Sequence, residues 1–470
     1  MKKTQVALSL AGVMAAATFA PQASALPLFA RQVGMACNAC HFQHFPMLNG
    51  FGRSFKAAGY TLMGAESKVE GDNMSIPGVL NAAILTTFGY TKTNQSAAYT
   101  AAGASSITVG GLPAGIPTAR ALAGVRTPAD GSVYVPGTNG EFSLFVGGRT
   151  SENSGALAEV GLLHTGGAGA GVASAKLPFL FPVGDSGMRA GVVPFTTDGQ
   201  GASYGFEILN TGANAVHTMV FDGGDFNGSI GTTVSAQQYI LTATPATGAA
   251  VVVDGIQAGP ATMFVNLTKF HQVGPADLGG NGASLGSSYL RVAGTFDMAG
   301  WDTGVGIQRW DGKSASLAFA AAGTITAASL VQTKATAVDF QMQGEVAGMP
   351  VGIYAEYANA PAPDSGQTNA YNPNATAGGT ARKAFVVSTE WGVVPEKVTV
   401  GAAIRRGSAG TALGTASQSD NSYMIEGSYK IAQNILVNLY YTHQSGDIWT
   451  TAVANQFGSN QTTLNVATIF

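Results

Sequence analysis

The chain has 470 residues, with 23 Lys and Arg against 26 Asp and Glu, for a formal charge of −3. That near-neutral balance, with no basic run and no interleaved aromatic ladder, excludes the electrostatic footprint of a nucleic-acid binder. Only 10% of residues are charged, 46% are hydrophobic and 64 are glycine, yet past residue 20 no uninterrupted apolar run reaches the ~20 residues that a spanning helix needs.

At the N-terminus, Lys2 and Lys3 form a positive region, residues 6–20 a mostly apolar stretch, and Ala23-Ser24-Ala25 an A-x-A cleavage site. These are the three parts of a secretory signal. Residues 1–25 are therefore read as a signal peptide that exports the chain. A retained anchor is the weaker alternative, because the apolar stretch is too short to span a bilayer.

Twelve residues past that site, Cys37-Asn38-Ala39-Cys40-His41 holds the only two cysteines of the chain. C-x-x-C-H is the attachment signature of a c-type haem. The two thiols form thioethers to the haem vinyl groups, and the adjacent histidine becomes the proximal iron ligand. Export places the motif in the compartment where such haems are attached. A thioredoxin-like dithiol would want a βαβ context, and a zinc site two more ligands nearby; the sequence offers neither. One covalent haem on Cys37, Cys40 and His41 is the expectation.

The stretch 45–60 reads as one helix, with Pro46 in its first turn and Gly59 at its exit. Leu48, Phe51, Phe55 and Ala58 then share a face that would cover the haem. For the sixth iron ligand, Met63, past the helix exit, is preferred over Met35, Met47, Met74 and an open site. His44 is too close to His41 to reach the opposite haem face. Residues 26–75 are thus expected to form a small α-helical monohaem segment, marginal alone and stabilised by docking as a plug inside a barrel built from the rest of the chain.

From 76 to 470 the chain reads as an all-β, transmembrane antiparallel barrel of about sixteen strands. Its best helical decoy, 315–331, is broken by Ser316, Gly323, Thr324, Thr326 and Ser329. Strands are expected at 303–310 and 313–320 around an Asp311-Gly312 hairpin turn, and at 351–357, 384–394, 398–406, 422–430, 435–443 and 461–470. Short turns (395–397 and around Ala432-Gln433) alternate with long loops (360–382, 407–420, 444–460), as in outer-membrane barrels. In 435–441, Ile435, Val437, Leu439 and Tyr441 are expected to face lipid and Asn434, Asn438 and Thr442 the lumen. Tyr440 and Tyr441 suggest an aromatic girdle. Leu464, Val466 and Phe470 share a face of the last strand, a pattern similar to the assembly signal of outer-membrane proteins. The region 197–287 is irregular. A soluble sandwich is the alternative, disfavoured by a length near 400 residues for one domain.

Other polar residues carry less. His164, His217, His271 and His443 lack metal-ligand spacing. Glu207, within 204–212, is read as a lumen carboxylate. No nucleophile elbow, phosphate loop or pair of catalytic carboxylates is present.

Taken together, residues 28–32 (Leu-Phe-Ala-Arg-Gln), Cys37 to His41, the stretch 45–60 and the haem-then-barrel order resemble the fused monohaem cytochrome–porins of bacterial outer membranes, whose best-known members are iron oxidases. The resemblance implies extracellular electron transfer: the haem plugs the pore and accepts electrons from extracellular Fe(II), and a periplasmic cytochrome or copper protein removes them. It carries over Cys37, Cys40 and His41, and fixes neither the sixth ligand nor any iron-binding residue. The same architecture running outward, as a reductase of external acceptors, or a diffusion porin with a structural haem plug, are the competing readings.

Overall fold

A computed structural model of the chain describes residues 28–94, 132–162, 171–212, 233–275, 285–320, 324–450 and 458–470, apart from Ala65, Asn73 and 137–138. The signal-peptide reading lies outside them.

Sixteen strand passes close into one antiparallel barrel. In chain order they are Ala82–Thr93; the interrupted pass Ser132–Pro136 and Phe142–Ser151; Ser154–Gly161; the interrupted pass Gly171–Lys176 and Phe179–Pro182; Arg189–Thr197; Ala246–Ala258; Ala261–His271; Ser287–Met298; Trp301–Ala320; the interrupted pass Thr324–Gln332 and Ala335–Val346; Met349–Ala360; Arg382–Val394; Val398–Ala409; Gln418–Ala432; Ile435–Ser445; and Asn460–Ile469. The last pass returns to the first, with Gln461 opposite Thr93 and Ile469 opposite Leu85. Beyond it, Phe470 and Ile84 exchange backbone hydrogen bonds of 2.7 and 3.0 Å. Closure leaves no sheet edge to satisfy, the condition for a sheet in lipid.

Side chains alternate across the wall. On Ile435–Ser445, Asn438, Tyr440 and Thr442 are buried while Leu439 is 54% exposed. The same alternation puts Leu267, Ile307, Phe385, Ile404 and Ile425 outside and Thr268, Gln308, Arg405 and Glu426 inside. An apolar exterior over a polar interior is the wall of a membrane-spanning barrel. No helix among the described residues is long and apolar enough to cross a bilayer. Tyr440 corrects the girdle expectation: it points inward and is 2% exposed, because period two leaves only one of two adjacent tyrosines on the lipid face.

The two ends of the barrel differ. One carries tight turns: Ala299-Gly300 and Ala347-Gly348, all four at positive φ (55° and 84°, 52° and 79°), then 395–397 and 433–434. Both central residues at positive φ is the geometry that matches hairpin twist. The other end carries 361–381, 410–417, and the described residues 446–450 and 458–459. Short turns mark the periplasmic end in barrels of this type.

Asp311-Gly312 is not a turn. Trp301–Ala320 runs straight through it, Asp311 opposite Ser288 and Gly312 opposite Ser287. A two-residue hairpin needs positive φ at its first central residue, and in the type I′ form at both; here only the second residue, Gly312, has it, at 124°. The pair marks a change of partner instead. Residues 302–310 pair with 335–343, and 313–320 pair with 324–332.

The irregular middle region resolves into the hairpin of Ala246–Ala258 and Ala261–His271, preceded by a segment folded into the lumen. Its described parts, 198–212 and 233–245, hold the 3-10 turn Ala202–Gly205 and the short helix Ala236–Tyr239. Arg291 pairs there with Asp339, at 2.9 Å through Nη2, and with Glu207 at 2.8 Å. Thr211 also donates to Asp339 (2.6 Å).

The N-terminal segment fills the short-turn end. It comprises the helix Leu28–Val33, a 3-10 turn Cys37–Ala39, the helix Gly50–Ala57 and a small hairpin, Lys68–Gly71 with Met74–Pro77. The helix expected over 45–60 is shorter than its periodicity suggests. Residues 41–48 instead form a tight loop in which the Phe42 N–H donates to the Met47 carbonyl (2.9 Å), with Gln43 at φ 64°. Asn49 then caps the helix, its side chain accepting from the Gly52 N–H at 2.9 Å, the Ncap arrangement that satisfies an orphan donor. The exit is as read from the sequence: Gly59 has φ 69°. The expected apolar face divides, because Leu48 precedes the helix, Phe55 is buried and Phe51 is 38% exposed.

Candidate cofactor site in the barrel plug

Cys37 to His41 form one tight turn. The His41 and Cys40 N–H groups donate to the Cys37 carbonyl at 3.0 and 3.2 Å. Helical spacing of three and four residues brings Cys37, Cys40 and His41 to one face of such a turn. The helix Gly50–Ala57 lies directly upon it. Gly52 makes this possible, since a Cβ there would stand 2.1 Å from the Cys40 carbonyl oxygen. Asn49 locks the contact, its N–H donating to the Cys40 carbonyl (3.0 Å) and its amide to those of Ala39 and Asn38 (3.0 and 3.3 Å).

Both cysteines are free and half-buried. Burial raises the Cys37 thiol and, with Cys37 as neighbour, pushes Cys40 up to about 11. Such thiols are poor thiolates at neutral pH, unlike those of a C-x-x-C oxidoreductase. Burial lowers His41 to about 4, so its imidazole is neutral. Its Nδ1 lies 3.0 Å from the Met47 carbonyl. That bond fixes Nδ1 as the donor and leaves Nε2 as the free lone pair, the tautomer a metal-bound histidine requires. Two unpaired thiols and an oriented neutral imidazole on one turn fit a c-type haem.

The turn docks at the short-turn rim. The Cys37 N–H donates to Gln433 Oε1 (3.0 Å) and the Asn38 amide to Glu396 Oε2 (2.6 Å). Around the plug, Arg53 pairs with Asp302 and donates to Gln343 (3.1 Å), and Lys430 donates to the Gln43 carbonyl (2.9 Å). From the lumen side, the inward segment grips the same loop: Asn210 accepts from the Leu48 N–H and donates to its carbonyl, both at 2.9 Å.

The candidate distal ligands separate by surroundings. Met47 is fully buried and its sulfur accepts from the Tyr354 hydroxyl at 2.6 Å. His44 Nε2 is 3.0 Å from Glu390 Oε2. Met63 lies in the exit 61–64, and the backbone on its N-terminal side is held to Leu28–Val33 by the Gln32 amide, 2.7 Å from the Tyr60 and Leu62 carbonyls. Met35 and Met74 are each 40% exposed.

His44, Glu390 and Glu426 form a cluster that sequence reading missed. Burial would lower His44, but the Glu390 carboxylate, with Glu426 behind it, lifts it to about 8. Glu207 is a lumen carboxylate, as expected, held by Arg291. His271 and His443 stand on separate strands, Ala261–His271 and Ile435–Ser445. His164 and His217 lie outside the described residues.

A closed antiparallel wall, apolar outside and polar inside, with a plug in its lumen, defines a porin-like barrel of the outer-membrane type. No protein-family model matches the chain, and no curated protein matches it. Among solved structures it is similar to OmpT, an outer membrane protein of Vibrio cholerae, at 10% identity and TM-score 0.44, over 86% of this chain and 100% of that one. It is also similar to the outer membrane channel DcaP of Acinetobacter baumannii, at 11% identity and TM-score 0.43, over 83% and 97%. Salmonella typhi OmpF is similar at 9% identity and TM-score 0.43, over 86% and 100%.

Proposed function

We propose that this chain carries one c-type haem on Cys37, Cys40 and His41 and transfers electrons across the outer membrane, oxidising extracellular Fe(II) and delivering electrons to a periplasmic cytochrome or copper protein. In this reading it is an Fe(II):cytochrome-type oxidoreductase exported by its signal peptide. The observation that carries it is the Cys37–His41 turn, with His41 oriented by the Met47 carbonyl and docked inside a membrane barrel at its short-turn rim.

When bound, the haem supplies a one-electron acceptor. The protein's work is positioning and tuning. Cys37 and Cys40 hold the group covalently, and Met47 aims His41. Met63 is the methionine that would complete the hold on the haem iron in this reading, while the Met47 sulfur and the His44 imidazole are both turned toward the wall. Asn49 and Gly52 keep the turn against its covering helix. The rim position suits delivery to a periplasmic protein, while a donor from outside enters through the opposite mouth.

Ferric holoprotein mixed with Fe(II) under anoxic conditions should show the sharpened bands of reduced cytochrome within seconds. Absence of reduction across several pH values, at a haem potential above that of the iron couple, defeats the iron-oxidase reading. A low haem potential would favour outward flow to an external acceptor. The porin-like wall favours a second reading, a diffusion barrel with a structural plug, and steady ion conductance of the wild type in planar bilayers would select it.

A further inference from the structure

We infer that His44, Glu390 and Glu426 form a binding site for a divalent transition-metal cation inside the lumen, and that the donor Fe(II) is held there. The second half of this inference rests on the iron-oxidase reading; the first does not.

One nitrogen and two carboxylate ligand atoms lie within 4.8 Å of one another, all from buried side chains. His44 is 3% exposed, Glu390 is fully buried and Glu426 is 7% exposed. Both Glu426 oxygens are buried without a hydrogen-bond partner among the described residues. A bare buried carboxylate is strongly disfavoured, so buried charges are paired or coordinate metals. An ion pair between His44 and Glu390 satisfies one carboxylate and leaves Glu426 unsatisfied. A dication bridging all three satisfies both.

The geometry suits coordination. His44 Nδ1 is 2.9 Å from the Phe45 carbonyl, which directs Nε2 at the carboxylates. Such a backbone bond is what orients metal-bound histidines. Nε2 stands 3.0 Å from Glu390 Oε2, and two ligand atoms each about 2.1 Å from one octahedral ion lie about 3 Å apart. Mixed imidazole and carboxylate donors suit Fe(II), Mn(II) or Zn(II) rather than soft-metal chemistry. The electron released, Fe(II) to Fe(III), goes to the haem that His41 would ligate, three residues away in the chain; no bond to the protein forms or breaks.

The test uses Mn(II), a redox-silent probe, added to purified full-length holoprotein in detergent, with free Mn(II) read by electron paramagnetic resonance. Wild type should take up one Mn(II) per chain, and Glu426→Gln and Glu390→Gln should weaken uptake about tenfold or more. Mn(II) should raise the melting midpoint of wild type and not of Glu426→Gln, which keeps the shape of the side chain. His44→Gln serves as the third variant if either carboxamide fails to assemble. No uptake by wild type, or equal uptake by the variants, overturns the site and leaves a structural ion pair only. In stopped flow, Glu426→Gln should slow reduction by Fe(II) about tenfold while reduction by dithionite stays unchanged. Mn(II) uptake lost in the variants, with no Fe(II) reduction in wild type, supports the site and defeats the iron-oxidase reading. Normal Fe(II) reduction without Mn(II) uptake does the reverse.

Discussion

Glu390 and Glu426 stand in one register row of the wall, each directly opposite Gly401 on the strand between them. Inward-facing neighbours of Gly401 on that strand are Thr399 and Ala403, both buried. The position between the two carboxylates therefore faces the lumen and carries no side chain. Strands two apart are ~10 Å apart at the backbone, and the glutamates on either side of that empty position bring their carboxylates within 4.8 Å of each other and of the His44 imidazole.

Gly401→Val should consequently weaken Mn(II) uptake about tenfold without changing the charge of the cluster, since overpacking displaces the side chains around it. The barrel, whose strands favour β-branched residues, should still assemble and show heat-modifiable migration on gels. Unchanged uptake would mean that the ion binds elsewhere.

Haem attachment is tested by extraction. Acid–acetone should leave the haem on the wild-type chain. Cys40→Ala should abolish normal two-thioether attachment and shift the reduced absorption bands. Full release of haem from wild type would refute the assignment of Cys37, Cys40 and His41.

Asn49 joins the helix cap to the motif turn through its backbone N–H and its side chain. Asn49→Ala removes the cap, worth ~1 kcal/mol, and leaves the Ala39 carbonyl without its donor. The plug should loosen by about 1–3 kcal/mol, seen as faster proteolysis of residues 28–64 while the wall stays resistant. Equal resistance of plug and wall in the variant would show that Asn49 does not anchor the turn.

Arg291 is fully buried between Asp339 and Glu207. Removing one partner of a buried ion pair typically costs ~3–5 kcal/mol. Arg291→Met should lower the temperature at which the barrel loses its compact migration and release the inward segment, raising ion conductance. Wild-type behaviour of this variant would mean that the segment is held by its other contacts, such as the Gln237 amide on the Thr211 carbonyl (2.8 Å).

Legibility in the sequence follows the range of the interactions. The C-terminal hairpins are readable because alternation and turn residues are local: the strands expected at 384–394, 398–406 and 435–443 match Arg382–Val394, Val398–Ala409 and Ile435–Ser445. Asp311-Gly312 misleads because its local chemistry is that of a turn, while the choice of partner strands on either side of it is non-local. The helix over 45–60 reads too long because periodicity does not register the competing backbone bonds that close the 41–48 loop. Cys37, Cys40 and His41 are contiguous, so their chemistry is visible as a motif. His44, Glu390 and Glu426 are brought together only by strand register and plug docking. In the sequence His44 looks like a bystander to His41, and the two glutamates carry no signal at all.

The plug comes first in the chain, yet the groups that tie the motif turn to the rim, and several that hold its loop, come from near the end: Gln433 and Glu396 for the turn, Glu390 and Lys430 for the loop. These contacts span roughly 340 to 400 residues of chain, and long-range contacts are slow to form. During biogenesis the rim contacts of the motif turn therefore wait for the last hairpins of the wall. Until then the turn that carries the two thiols lacks those contacts. Seating of the motif turn at the rim is thus a late step of assembly, and it requires the final hairpins in register.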